Sequence, residues 1–203
     1  MSSHHIIRDE QEPALLVLDP MAIDREHFDA LLEWSPTLIV TEEHTSTLLG
    51  WGIKIDRVLV KEGSELLNNK QDLFDVVNYQ NECTSLDAGL DFLLKQNHHS
   101  VNIVGNPDNQ PVFLHSLVNK MNCVLFETNS KIIVARNGVY RKWFKAYSSI
   151  SIQSFEVMYL SSDGLMDELE NIKVEDELRI TTTDDGILSL KSNLKPFLVA
   201  EQL

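Results

Sequence analysis

A three-layer, mostly parallel α/β domain followed by a small all-β sandwich is the architecture this sequence predicts. Three observations lead there. As far as Met121, short continuous apolar runs alternate with helix-like segments, the mark of strands buried on both faces of a parallel sheet. Beyond Met121 the runs are punctuated by Asn129-Ser130, Asn137-Gly138 and Asp184-Asp185-Gly186, residues that favour turns between strands. From Tyr147 onward no segment carries a helical period.

The elements follow in order. Residues 14–18 are apolar throughout and read as the first buried strand. Residues 24–34 place Phe28, Leu31 and Leu32 at helical spacing behind Asp24, a suitable N-cap. Residues 37–40 form the second strand, 45–49 belong to a short helix closed by Gly50 or Gly52, 57–60 form the third strand and 73–77 the fourth. Thr84 or Ser85 caps a helix whose stripe is Leu86, Leu90, Leu93 and Leu94. A strand at 101–104 runs into a loop of turn formers at 105–111, and a helix follows at 112–121.

Strands are then expected at 123–126, 131–135, 139–144, 149–155, 177–182, 187–191 and 196–199. Asn137-Gly138 between two of them is a strong hairpin signal. The expected division is an α/β domain over 1–144 and a β sandwich over 145–203. So small a sandwich is marginal alone, and is expected to pack on the first domain or on a second subunit.

Composition narrows the function classes. Hydrophobic residues at 43% and charged residues at 24% are ordinary for a soluble globular protein. A formal net charge of −14 argues against a nucleic-acid partner, which needs a clustered basic face. The densest cationic run, Arg141-Lys142-Trp143-Phe144-Lys145, reads as an exposed strand edge. Cys83 and Cys123 fit no metal or redox spacing and read as buried free thiols. Residues 1–13 are polar, without the apolar core of a signal peptide, and no run has the ~20 apolar residues that span a bilayer. A reduced, cytoplasmic protein with no membrane partner is expected.

In an open α/β sheet ligands bind outside the carboxyl ends of the strands. Two of those ends carry Glu42-Glu43-His44 and Lys61-Glu62-Gly63-Ser64. His44 beside its two acids is the best-placed histidine. His4-His5 reads as solvated, and His98-His99 as a helix-end pair. Ser64 is a nucleophile only if a base approaches it. Neither a Gly-x-Gly-x-x-Gly nor a Walker loop is present among only eight glycines. Trp34, Trp51 and Trp143 are expected to be packing residues.

Spacing along these segments resembles the thiamine pyrophosphokinase family. Glu42-Glu43-His44 stands where that family has Asp-Gly-Gly. Gly52-Ile53-Lys54-Ile55-Asp56 follows at the spacing of its Gly-Ile-x-Pro-Asp. Residues 58–60 lead into Lys61-Glu62-Gly63-Ser64 where the family has Gly-Asp-Phe-Asp-Ser. Thr84-Ser85 matches a Thr-Asp helix start, residues 105–113 its Arg-x-Asp-His loop, and Asp163-Gly164-Leu165 its Thr-Gly-Leu turn. Thr181-Thr182-Thr183 falls near its Ser-Asn thiamine turn, so Thr182 and Thr183 are the candidate thiamine-side residues; the alternative is ordinary β-branched strand positions.

The resemblance implies a homodimer with its β domains near the two-fold axis, and transfer of diphosphate from ATP to thiamine with Mg²⁺. The positions of the family's acids depart from this. Lys61 and Gly63 stand at the two aspartates, Ser85 at the Thr-Asp acid, and Gln110, Pro111, Val112 and Phe113 in the Arg-x-Asp-His loop. Only Glu42 keeps an acid. Mg²⁺ needs carboxylate oxygens in near-octahedral array, so no metal is expected. If residues 61–63 are extended, Glu62 faces away from its neighbours; Asp87 lies far round the helix from Ser85. Asp108 reads as a turn residue.

The expected function is therefore a relative of the family without ordinary diphosphotransferase activity, keeping a ligand-binding or regulatory role toward a thiamine-like or nucleotide ligand. Its candidate cleft is Glu42, Glu43, His44, Glu62, Ser64, Thr84 and Asp108. One alternative is a divergent enzyme with Glu42, Glu43 and Glu62 around Mg²⁺ and Lys61 on the phosphates of ATP. Another is a structural dimer or interaction module.

Overall fold

The computed structural model describes residues 13–64, 74–107, 110–128, 130–165, 167–193 and 195–203. The chain divides into two compact units, residues 1–108 with 120–128, and residues 109–119 with 129–203.

The first unit is built on parallel strands. Its elements are β1 (Ala14–Val17), α1 (Arg25–Leu32), β2 (Leu38–Thr41), α2 (Glu42–Gly50), β3 (Arg57–Lys61), β4 (Asp75–Tyr79), α3 (Ser85–Lys95), β5 (Ser100–Val104) and β6 (Asn122–Glu127). Every pairing among its strands is parallel, in the order β6-β5-β1-β2-β3-β4. β1 and β2 are buried along their whole length, as continuous apolar strands must be when both faces are covered. α2 packs on β2 and β3, and α3 on β3 and β4.

Asp24 caps α1 as expected: its carboxylate accepts from the His27 amide at 2.9 Å. Thr84, rather than Ser85, caps α3. The fourth strand begins at Asp75, and Leu73 lies outside the described residues. Trp51 packs edge-on against Phe28 at 5.7 Å, with Arg25 over its ring. The packing expected of Trp34 is overturned, since 70% of it is exposed. Cys123 is buried, while Cys83 is only partly so, because it precedes the Thr84 cap on an open turn.

Among its described residues the second unit holds α4 (Gln110–Leu117) and the strands β7 (Ser130–Ala135), β8 (Val139–Phe144), β9 (Ser149–Ser154), β10 (Met158–Asp163), β11 (Ile172–Val174), β12 (Glu177–Thr181), β13 (Gly186–Ser192) and β14 (Phe197–Gln202). They form two antiparallel sets, β12-β9-β14-β7 and β11-β10-β13-β8. Tyr140, Phe144, Ile150, Met158, Leu188 and Phe197 are among the side chains buried between them.

The hairpin expected at Asn137-Gly138 does not form. The turn is there, with Gly138 N donating to Ala135 O at 3.2 Å. The strands it joins then part: β7 pairs with β14, and β8 with β13. The turn carries the chain from one sheet to the other. β10 and β11 went unrecognised in the sequence, and the cationic run is the edge strand it was expected to be. Trp143 on that edge is half exposed, not packed.

Candidate functional site

In the first unit β1 through β4 advance on one side of β1, and β5 returns to its other side. Ligands in such sheets favour the carboxyl ends near that reversal. Between β1 and β5 the chain closes on itself: Leu18 N and Asp19 N both donate to Val104 O, at 2.8 and 3.1 Å. Gly105 lies so close that a Cβ there would stand 2.8 Å from Leu18 Cβ. Asp19, which the sequence reading passed over, accepts from the Met21 amide at 2.9 Å.

At the end of β2 the structure corrects the expected polar loop. Thr41 is extended (φ −73°, ψ 151°), and Glu42, Glu43 and His44 form the first turn of α2. Acids there complement the positive end of the helix dipole. The helix starts three residues earlier than its apolar pattern because those acids favour its first turn. Glu42 is only 8% exposed. Its Oε2 and the hydroxyl of Thr41 are buried with no hydrogen-bond partner among the described residues. Thr41 O is engaged by the Thr45 hydroxyl at 3.1 Å.

At the end of β3, residues 61–64 form a turn rather than an extension. Ser64 N donates to Lys61 O at 3.0 Å, and Glu62 N to Tyr79 O at 2.9 Å. Gly63 sits at φ +84°, a conformation that favours glycine over any residue bearing a carboxylate. Lys61 and Glu62 are exposed. Tyr79 ends β4 directly opposite Lys61. Burial, then the charges of Glu43 and Glu42, push its phenol above the ordinary range, which places the tyrosine and both acids in one electrostatic neighbourhood. Tyr79 escaped the sequence reading because the fourth strand was expected to stop two residues short of it.

Thr84 is occupied by its cap. Its hydroxyl donates to Asp87 Oδ2 at 2.7 Å and accepts from Asp87 N at 3.1 Å. Ser85 is the first helical residue. Asp108 lies outside the described residues, as do His4 and His5. His98 is buried and His99 exposed. Among the described residues no three His, Cys, Asp or Glu side chains converge as a metal-holding group. A hollow of about 590 Å³ lies at the opposite, amino-terminal ends of β2 and β3, lined by Thr37, Gly52, Lys54 and Asp56. Asp56 has a structural task there, accepting from Leu38 N at 2.9 Å.

In the second unit Thr182 is 3% exposed and fully engaged. Its hydroxyl donates to Lys145 O at 2.6 Å and accepts from Ser148 N at 3.0 Å. It ties down the β8–β9 connection. Thr183 is exposed and donates to Asp184 at 3.0 Å. The 163–165 turn is held by Glu168, whose carboxylate accepts from Ser162 Oγ at 2.7 Å, Gly164 N at 2.7 Å and Leu165 N at 3.0 Å.

No family model matches the sequence, and no curated protein matches it. Solved structures do match. The thiamin pyrophosphokinase of Geobacillus thermodenitrificans is 13% identical with a TM-score of 0.73, over 94% of this chain and 96% of that one. That of Bacillus subtilis is 16% identical with a TM-score of 0.72, over 94% and 99%. That of Candida albicans is 10% identical with a TM-score of 0.69, over 94% and 90%. At such identities the likeness establishes a shared fold over nearly the whole of both chains.

Proposed function

We propose, starting from the thiamine pyrophosphokinase fold of this chain, that it is a relative of those enzymes without ordinary ATP:thiamine diphosphotransferase activity, working in the cytoplasm as a ligand-binding or regulatory module. The observation that carries this reading is the turn after β3. There Lys61 and a left-handed Gly63 stand where the resemblance expects metal-binding acids. Glu42, Glu43 and Glu62 are the acids left at these strand ends, and among the described residues they are not part of a converging set of three ligands. The positions at which the resemblance expects magnesium-binding acids carry Lys61 and Gly63, which offer no carboxylate.

The binding half of the proposal rests on Thr41 and Glu42. Two buried polar atoms on consecutive residues, without partners among the described residues, are costly, and a ligand with matching hydrogen-bonding groups relieves that cost. A thiamine-like or nucleotide ligand enters from the carboxyl ends of β2–β4, near Tyr79, Glu43 and Lys61. The homodimer implied by the resemblance belongs to the same proposal, and sedimentation equilibrium checks it.

Two measurements test the function together. Incubation with ATP, thiamine and Mg²⁺ is expected to yield no thiamine diphosphate above the protein-free control. Thiamine, thiamine diphosphate or a nucleotide is expected to raise the melting temperature, because a ligand that binds only the folded state stabilises it. Turnover at ordinary enzyme rates would overturn the non-catalytic reading. It would favour the divergent enzyme, in which Glu42→Gln abolishes activity. No shift with any of these ligands would leave an interaction module as the function.

A further inference from the structure

Strand β8 is the outer strand of its sheet, so one backbone edge has no ladder partner among the described residues. Its side chains alternate. Tyr140 and Phe144 are buried in the core, and Lys142 reaches inward to Glu201. Val139, Arg141 and Trp143 face out, with Lys145 following, all exposed. Charge alone would protect such an edge from pairing. That protection does not account for a valine 51% exposed and a tryptophan 52% exposed on the same strand. Trp143 also stands directly opposite Ile187 of β13, another exposed apolar residue.

At the carboxyl end of β8 a hollow of about 510 Å³ is lined by Trp143, Lys145, Tyr147, Ser148, Gln202 and the buried Glu201, whose carboxylate is held by Lys142. Tyr147 is held at φ +63°, sparsely populated for an aromatic residue, and the residue is 82% exposed. Its amide donates to Thr182 O at 2.7 Å, and the Thr182 hydroxyl clasps Lys145 O and Ser148 N around it. Part-buried bonding through Thr182 thus fixes a strained loop that holds Tyr147 out in water.

We propose that the free edge of β8 docks an acidic, extended segment of a partner protein, which adds as a further strand and seats an apolar side chain in the hollow between Trp143 and Tyr147. Strand addition draws affinity from main-chain hydrogen bonds and specificity from pockets that take alternate side chains. Charge selects the partner. The chain as a whole carries −14, and its densest cationic run is Arg141-Lys142-Trp143-Phe144-Lys145. An acidic segment is repelled elsewhere and steered to this strip. A nucleic-acid backbone carries a phosphate at every step and meets the same repulsion without using the strand edge.

The test uses the full chain and a fluorescein-labelled, strand-length peptide alternating glutamate with valine and tyrosine, followed by anisotropy. Saturable, salt-sensitive binding is expected. The double substitution Arg141→Glu, Lys145→Glu should weaken it by roughly tenfold or more. A peptide of equal charge with proline at alternate positions should not bind, because it lacks the donors a strand needs. On the unaltered protein, added peptide should slow amide exchange across residues 139–147, a reading that needs no variant to fold.

The proposal is overturned by absence of saturable binding, by equal binding of the proline peptide, or by indifference to the charge reversals. Tighter binding of a single-stranded oligonucleotide of equal charge would also overturn it. So would a dimer of the unaltered chain that the same reversals dissociate, since a second copy would then occupy the edge.

Discussion

Tyr140 and Glu201 join the two sheets of the β sandwich: the phenol on β8 donates to the Glu201 carboxylate on β14, 61 residues later in the chain. Lys142 binds the other carboxylate oxygen. Both Tyr140 and Glu201 are buried. A buried carboxylate is tolerated only when its oxygens are paired, and this one is paired twice.

Tyr140→Phe keeps the ring and strips one oxygen of Glu201 of its donor. It should cost about 1–3 kcal/mol in urea unfolding at neutral pH. Burial first, then the hydrogen bond to Glu201 and its charge, raise the Tyr140 phenol above its ordinary 10.0. A folded-state value above the unfolded one means the folded chain holds the proton longer. Its contribution is complete below pH about 10 and declines as pH rises beyond it. The unaltered chain should therefore lose stability more steeply above pH about 10 than Tyr140→Phe does, and equal slopes would contradict the assignment.

The two thiols should behave as different species. Burial pushes Cys123 up to about 12 from 9.0. Cys83 is raised by burial and by the charges of Asp87 and Asp91, but stays partly open to solvent. A thiol-disulfide reagent at mildly alkaline pH should titrate one sulfhydryl in the native protein and the second only in denaturant. By the same sign argument Cys123 contributes stability that is intact below pH 9.0 and fades toward about 12. Cys123→Ala should flatten that portion of the alkaline decline.

Gly164→Ala should be among the most damaging single-methyl substitutions. The residue lies at φ +101°, and a Cβ would stand 2.1 Å from the carbonyl oxygen of Ile187. The obstacle is backbone, which cannot swing aside. A loss of about 3 kcal/mol or more is expected on chemical unfolding. Gly186→Ala, with open space around its Cβ, is the control and should cost far less.

Thr84→Ala removes both bonds between Thr84 and Asp87 at the start of α3. Loss of such a cap costs about 1 kcal/mol, and Thr84→Ser should restore most of it. A thermal melt distinguishes the three proteins. A cap alone should leave the response to ligands unchanged, whereas a cleft residue would not.

Much of the first unit was legible because its signals are local. A strand covered on both faces must be apolar at every position, so β1 and β2 declared themselves. The Asp24 cap, and a cap at Thr84 or Ser85, could be read because a short side-chain acceptor before a helical stripe has one good use; the structure chose Thr84. The site was less legible. Glu42-Glu43-His44 looked like a loop because helix α2 begins on polar residues and hides its start. The turn at Lys61-Glu62-Gly63-Ser64 could not be told from a continuing strand without the bond from Ser64 N to Lys61 O. Tyr79 entered the site only once β4 was seen to reach it. β10 escaped because Ser161 and Ser162 interrupt its apolar run; their hydroxyls bond the neighbouring loop.

What the sequence by itself determined was the order and kind of the elements, since periodicity, capping and turn chemistry act over a few residues. That positions 61, 63 and 85 carry lysine, glycine and serine rather than acids is likewise read there. Only the tertiary structure decided which strands pair across Asn137-Gly138, that Thr182 is spent on the β8–β9 connection, and that Glu201 finds Tyr140. Those outcomes depend on burial and hydrogen bonding between segments far apart in the chain, and a buried polar group accepts whichever distant partner the packed sheets bring to it.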